Sequence, residues 1–139
     1  MKTAAQLKKA PTWEAFCKLT KRDPKLLPDV SSWDKITGNK IKGESLIAEH
    51  KIEVMLDWAN EDADLSYGNP DTKKYWPILV WENNKKKPSL SAFRFYGTDY
   101  VYVTTYSSVG TRLSAASPDI VRWICTDHID LVNIANKRK

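Results

Sequence analysis

Four acidic residues with the chemistry of a metal site lie near the middle of the chain: Asp57, Glu61, Asp62 and Asp64. Hard divalent cations prefer carboxylate oxygens as ligands, so a metal-dependent hydrolase is one hypothesis for this segment. The run lacks the ligand spacing and the central glycine of a calcium-binding loop. A water-facing helix surface explains the same acids without a metal, because charged residues are mostly exposed. We therefore predict neither a metal site nor a cofactor.

Cys125 and His128 are three residues apart, which places them on one helical turn and could begin a zinc site. Zinc requires further ligands, and Cys17 and His50 are isolated in the sequence. Because His128 lies within an apolar stripe, we predict that it is a core histidine. His50 falls on a polar helix face and is predicted to be exposed. The two cysteines are predicted to be buried thiols rather than a disulfide.

The sequence contains none of the common catalytic motifs. There is no nucleophile elbow, no Walker-type phosphate loop, no zinc-protease helix motif and no dinucleotide-binding glycine pattern. With only five glycines, the chain has little material for a loop that cradles phosphate. We predict that the protein is not an enzyme.

A tyrosine-rich run beginning at Arg94 is a candidate binding surface. Side chains alternate between the two faces of a strand, so Tyr100, Tyr102 and Tyr106 would share one face. In the preceding run, Arg94 and Tyr96 also share a face. The phenylalanines and valines between them form the natural core-facing set. We therefore predict an outer sheet face rich in tyrosine, with Arg94 among the rings.

Two interpretations of these tyrosines stay open. Cross-strand tyrosine pairs stabilise ordinary sheets, and aromatic residues are common in strands. A stacking surface for single-stranded nucleic acid would have the same composition. Three consecutive lysines, Lys85, Lys86 and Lys87, form a basic tip that either contacts phosphate or keeps a strand edge soluble.

Trp123 is a further candidate. It lies on the side of the last predicted helix that faces away from the apolar stripe. It either packs against the N-terminal segment or is exposed. An exposed tryptophan would be a candidate contact, since tryptophan is enriched at interaction hot spots.

The 139 residues predict one domain, and the charge is divided unevenly along it. Residues 44–64 contain seven acidic residues and one lysine, whereas both flanking segments are basic. Dedicated nucleic-acid binders usually concentrate positive charge without such an acidic block. The sequence shows no membrane-spanning run and no secretory signal, so we expect an intracellular, soluble protein.

The elements that must position these residues fall into four parts. Residues 1–43 are predicted to form a helix capped by Thr12 and then an irregular connection. Residues 44–60 form a long helix, residues 75–106 an antiparallel sheet, and residues 117–135 a C-terminal helix that begins after a Ser-Pro cap. The predicted fold class is α+β, with helices packed on one face of a small three-stranded antiparallel sheet.

Two details of this prediction depend on local signals. The second and third strands are predicted to be separated by a hairpin at Gly97, Thr98 and Asp99. Apolar residues in the irregular connection are expected to tie it to the body of the domain, namely Leu26, Leu27, Val30, Trp33 and Ile36.

Several segments, "LLPDVS", "LIAEHKIEVMLDWANE", "KKYWPILVW" and "YSSVGTRL", resemble a large uncharacterised protein family of bacteriophages and prophages of gut Bacteroides. The similarity covers about residues 26–135, with departures at Ala63, Leu65, Ser114 and Ala115. The matching positions are Leu27, Pro28, Asp29, Ala59, Asn60, Glu61, Tyr75, Pro77, Val109, Gly110, Arg112 and Leu113.

The resemblance implies a viral origin and brings no known activity. It also suggests that residues 109–113 form a specific turn, in which Gly110 takes an unusual backbone angle and Arg112 clamps a carbonyl or an acid, or contacts a ligand. We expect a non-enzymatic phage accessory protein that binds a protein partner, in the cytoplasm of the infected host or in the virion. Single-stranded nucleic-acid binding is the alternative, and the metal-dependent hydrolase the weaker one. The sequence leaves the oligomeric state open.

Overall fold

The computed structural model describes residues 1–65, 73–101 and 114–137. In these ranges the chain is α+β, as predicted, with six α-helices and a two-stranded antiparallel sheet. None of the described helices is both long enough and apolar enough to cross a bilayer. The elements are α1 (Ala4–Leu7), α2 (Trp13–Thr20), α3 (Ser31–Thr37), α4 (Lys40–Asn60), β1 (Lys74–Glu82), a short 3₁₀ helix (Pro88–Leu90), β2 (Ala92–Val101), α5 (Pro118–Asp127) and α6 (Ile129–Ala135).

The hydrophobic core lies between α5 and α6, which contact one face of the sheet, and α4, which packs against both of these helices. One apolar stripe of the long helix α4 is buried: Ala48, Ile52, Met55, Leu56 and Ala59. From the sheet, Tyr75, Leu79 and Phe95 pack against this core. The helices therefore cover one face of the sheet, and alternation turns the intervening strand residues to the other face.

Two helix starts follow the predicted capping chemistry. The Thr12 hydroxyl accepts a hydrogen bond from the Ala15 N–H at 3.1 Å. The Ser117 hydroxyl accepts one from the Ile120 N–H at 3.3 Å, with Pro118 in the first turn. Each cap satisfies one N–H group that has no partner within its helix, which is worth about 1 kcal/mol.

The prediction of a hairpin at Gly97 is wrong, because β2 runs without a turn from Ala92 to Val101. Ile78 lies opposite Gly97 and Leu79 lies opposite Phe95, so Tyr96 is an extra residue in β2. This is a β-bulge, which shifts the pairing by one residue and bends the strand. The second predicted strand and the start of the third thus belong to one strand, and residues 102–106 of the prediction lie outside the described residues.

The prediction that residues 23–43 form an irregular connection tied down by apolar side chains is also wrong in part. A helix, α3, forms there and ends at Gly38, which adopts a left-handed conformation with φ of 63°. Of the apolar residues, Leu27 packs against the core, whereas Leu26, Trp33 and Ile36 are exposed. The face of α3 toward α4 instead carries Asp34, which lies against Gly43.

The single C-terminal helix predicted for residues 117–135 is two helices, α5 and α6, with His128 at the junction. Asn133 on α6 then reaches the outer edge of β2. Its amide accepts from the Phe93 N–H at 2.8 Å and donates to the Phe93 carbonyl at 3.1 Å. One side chain therefore pairs with the strand edge at this position as a neighbouring strand would.

Candidate binding surface

The face of the β1–β2 ribbon that points away from the helices is the candidate binding surface. Three large apolar side chains are exposed on it: Ile78, Val80 and Tyr96. Tyr96, the extra residue of the bulge, is the most exposed of the three, at 78%. Exposed side chains of this kind in one patch mark interaction sites more often than isolated ones do. We call these three residues, with Arg94 and Glu82, the outer face.

Arg94 lies opposite Val80 in the register and is exposed, as the sequence predicted. Its guanidinium forms an ion pair with the Glu82 carboxylate. The pair is exposed and contributes little to stability. It does balance the charge of the outer face, since one cation faces one anion there.

The tyrosines were predicted to share one face with Arg94. Because of the bulge, this prediction is wrong for Tyr100. Tyr100 lies opposite Tyr75, and the two rings are 6.0 Å apart. Because Tyr75 packs against the core, Tyr100 lies on the helix-covered face, half-exposed at the end of the ribbon. The Lys73 ammonium lies 4.4 Å from the centre of its ring. Arg94 and Tyr96 are therefore on a different face from Tyr100.

The basic tip, Lys85 to Lys87, is exposed at the turn between β1 and β2. Asn84 orders this turn: its side-chain oxygen accepts from the Lys86 and Lys87 N–H groups at 3.1 and 2.8 Å. Its own N–H donates to the Ser91 hydroxyl at 2.8 Å. The three ammonium groups are thus carried by a defined turn.

Trp123 is 4% exposed, so its assignment to a contact surface is wrong. Of the two arrangements considered for it, packing against the N-terminal segment is the one observed. Its indole N–H donates to the Ala10 carbonyl at 2.9 Å. Residues 7–13 cover the side of α5 that faces away from its apolar stripe, so this side of the helix is buried as well.

The remaining sequence candidates, Tyr102, Tyr106 and Arg112, lie outside the described residues.

His128 is a core histidine, as predicted, and its Nε2 lies 3.0 Å from the Ala10 carbonyl oxygen, to which it donates. Burial lowers the pKa of His128, against the opposing effect of that hydrogen bond and of Asp127 and Asp130. His50 is half-buried rather than exposed.

Both cysteines are free and buried, as predicted. Burial raises the pKa of the Cys125 thiol to about 12 and also raises that of Cys17, where Glu14 adds to the effect. A thiol is nucleophilic as the thiolate, so neither cysteine has the properties of a reactive one.

The acidic residues proposed for a hydrolase do not form a metal site in the structure. Within residues 1–65, 73–101 and 114–137, no three His, Cys, Asp or Glu side chains are grouped to hold a metal ion. Glu61 instead forms ion pairs with Lys2 and with the N-terminal amine, which is 2.7 Å away. Hydrogen bonds from these two groups lower the pKa of Glu61 to about 2.

Two features of the structure were not predicted from the sequence. The helix α1 carries a capping box, in which Thr3 and Gln6 satisfy each other's backbone N–H groups. Its Thr-x-x-Gln spacing is visible in the sequence and could have located this helix. The exposed Trp81 and Leu90 beside the basic tip were also missed, because strand alternation alone does not show where the covering helices end.

Comparison of the chain with protein-family models, with curated proteins and with solved structures found no match.

Proposed function

We propose that this protein is a non-enzymatic binding protein that contacts another protein through the outer face of its β-ribbon. The observation that carries the proposal is the exposure of Ile78, Val80 and Tyr96 together, on the side of the ribbon opposite the helices. Burying such side chains contributes about 25 cal/mol per Å² of apolar surface. Tyrosine and arginine are also enriched among the residues that dominate protein interfaces.

A protein partner fits this surface better than single-stranded nucleic acid does. Binding a phosphate backbone requires cations that are free to replace counterions, and Arg94 already faces Glu82. Base stacking would be strongest with several aromatic rings in a row, whereas the bulge separates Tyr96 from Tyr100. The aliphatic side chains of Ile78 and Val80 offer no base-specific contact. The outer face is apolar and charge-balanced, as the centre of a protein interface is.

The resemblance to the bacteriophage and prophage family leads us to place the partner in the infected host or in the virion. An accessory role is compatible with the surface, because such a role requires recognition and no catalytic group.

The decisive experiment compares the chain with an outer-face variant, Val80→Ser/Tyr96→Ser. Proteins retained by each from a lysate of infected cells are identified, and affinity is then measured for the purified candidate. We expect the variant to bind at least about tenfold more weakly, equivalent to about 1.4 kcal/mol. The matched control is Leu26→Ser/Ile36→Ser, which removes two exposed apolar side chains elsewhere. Its affinity should stay within about twofold of the unmodified chain.

Equal affinity of both variants and the unmodified chain would contradict the proposal. A titration with single-stranded DNA at two salt concentrations tests the alternative function, single-stranded nucleic-acid binding. Affinity that falls steeply with salt and is lost in Arg94→Ala would assign the face to nucleic acid instead.

A further inference from the structure

A cleft of about 730 Å³ lies on the other side of the ribbon, between the basic tip and the helices α5 and α6. Its volume is within the range of sites that hold small ligands or a few residues of a peptide. The cleft shares Glu82 and Arg94 with the outer face, but Ile78, Val80 and Tyr96 do not line it, so the cleft is a second site that goes beyond the proposed function.

The apolar part of the cleft is formed by Phe93 and Phe95 from β2, Ile129 from α6 and Leu90 from the turn. Its neutral polar groups are largely satisfied inside the protein. The Asn133 amide pairs with the Phe93 backbone, and the Thr126 hydroxyl donates to the Arg122 carbonyl at 2.6 Å. These groups hold the walls in place and leave the charged groups to select a ligand.

The charged groups of the cleft are predominantly basic. Lys85, Lys86 and Arg94 line it together with a single acid, Glu82, which is paired with Arg94. Among the described residues neither lysine forms an ion pair, so both ammonium groups face an uncompensated site. The neighbouring Cys125 thiol is protonated at neutral pH, since burial raises its pKa to about 12, and it adds no negative charge.

We propose that the cleft binds an acidic peptide segment, in which carboxylates pair with Lys85 and Lys86 and an apolar side chain packs on Phe93 and Ile129. The charge of the lining selects an anionic ligand, and its apolar floor favours a peptide over a bare phosphate. An extended nucleic-acid strand would need a longer row of cations than Lys85 and Lys86 supply. Strand addition is not the binding mode at Phe93, because Asn133 already occupies that edge of β2.

The test uses a fluorescein-labelled hexapeptide of alternating glutamate and leucine, titrated with the full chain and followed by fluorescence anisotropy. We expect the charge-reversal variant Lys85→Glu/Lys86→Glu to weaken binding at least about tenfold, because it places like charges against the peptide. A glutamine-for-glutamate peptide should be weakened to a similar degree. The matched control Lys8→Glu/Lys9→Glu reverses two adjacent exposed lysines after α1 and should bind within about twofold of the unmodified chain.

No binding of the peptide, or equal binding by both charge-reversal variants, would overturn the inference. Tighter binding of single-stranded DNA than of the peptide would also overturn it. Light scattering without peptide tests whether the cleft instead binds a second copy of the chain through its acidic residues 44–64. Self-association abolished only in Lys85→Glu/Lys86→Glu would reassign the cleft to that contact. The outer-face variant Val80→Ser/Tyr96→Ser should retain peptide binding. The proposal for the cleft and the proposal for the outer face can therefore be refuted separately.

Discussion

The indole N–H of Trp123 donates to the carbonyl oxygen of Ala10 at 2.9 Å, linking residues that are 113 positions apart in the chain. The same oxygen accepts a hydrogen bond from His128 Nε2. The Trp123 ring also contacts the rings of Trp58 and His128. One buried carbonyl thus joins the N-terminal segment to α5 and to the junction between α5 and α6.

We expect Trp123→Phe to lower the free energy of unfolding by about 2 kcal/mol, because it removes a buried hydrogen bond and leaves a cavity. Urea unfolding followed by circular dichroism measures the change. Trp33→Phe is the matched control on an exposed tryptophan, with an expected effect below about 0.5 kcal/mol. Equal effects of the two variants would contradict the role assigned to Trp123.

We expect His128 to make stability fall as the pH drops below about 6.5, the ordinary histidine pKa. Since burial lowers the pKa of the folded state, the unfolded chain binds the proton first, and the free energy of unfolding decreases as the pH falls through the folded-state pKa. His128→Gln, which keeps a donor for Ala10, should flatten this dependence in urea titrations between about pH 7 and pH 5.

The control for this pH experiment is His50→Gln, which changes the other of the two histidines. This variant should keep the slope. A slope that survives in His128→Gln would show that another group causes it.

We expect Gly43→Ala to destabilise the protein, although alanine favours a helix interior by about 1 kcal/mol over glycine. A Cβ atom at position 43 would overlap the Asp34 carboxylate and lie 2.9 Å from Val30 Cγ2. Overpacking of this kind costs about 1–3 kcal/mol, which exceeds the helix gain. Chemical denaturation measures the net loss, expected at about 1 kcal/mol.

Gly97→Ala is the matched control for Gly43→Ala, because a Cβ atom at position 97 meets open space. It should change stability far less. A more stable Gly43→Ala variant would mean that α3 moves away from α4 at little cost.

We expect Glu61→Gln to reduce stability at neutral pH and to match the unmodified chain near pH 2. The pKa of Glu61 is lowered to about 2 in the folded protein, so its contribution is present above the ordinary pKa of 4.5 and lost as the pH falls toward 2. Thermal unfolding at pH 7, 4 and 2 shows the convergence. Glu53→Gln, an exposed acid on α4, controls for the removal of one charge. Added salt should shrink the difference at neutral pH, because these ion pairs are solvent-accessible.

The parts of the fold that depend on local chemistry could be predicted from the sequence. Thr12 and Ser117 cap their helices, the stripe on α4 is buried, and His128 lies in the core. Each of these follows from side chains within a few residues of one another. The exposure of Arg94 and Tyr96 followed from alternation in the same way.

The parts that depend on distant contacts could not be predicted. The sequence around Gly97 predicts a turn, and only the pairing of Gly97 with Ile78 shows that the strand continues. The bulge then reverses the faces of all later residues in β2, which is why Tyr100 is misplaced by simple alternation. The position of Trp123 on its helix suggests an exposed side chain, because the segment that covers it is over a hundred residues earlier in the chain.

The docking of Ala10 on α5 also has a consequence for synthesis. A ribosome releases the chain from its amino end, so Leu7 and Ala10 emerge long before the helix that buries them. In the nascent protein this apolar segment lacks its packing partner until α5 leaves the exit tunnel. Completion of the core therefore waits for α5, and shortened chains that stop before residue 118 would remain open to chaperones and proteases.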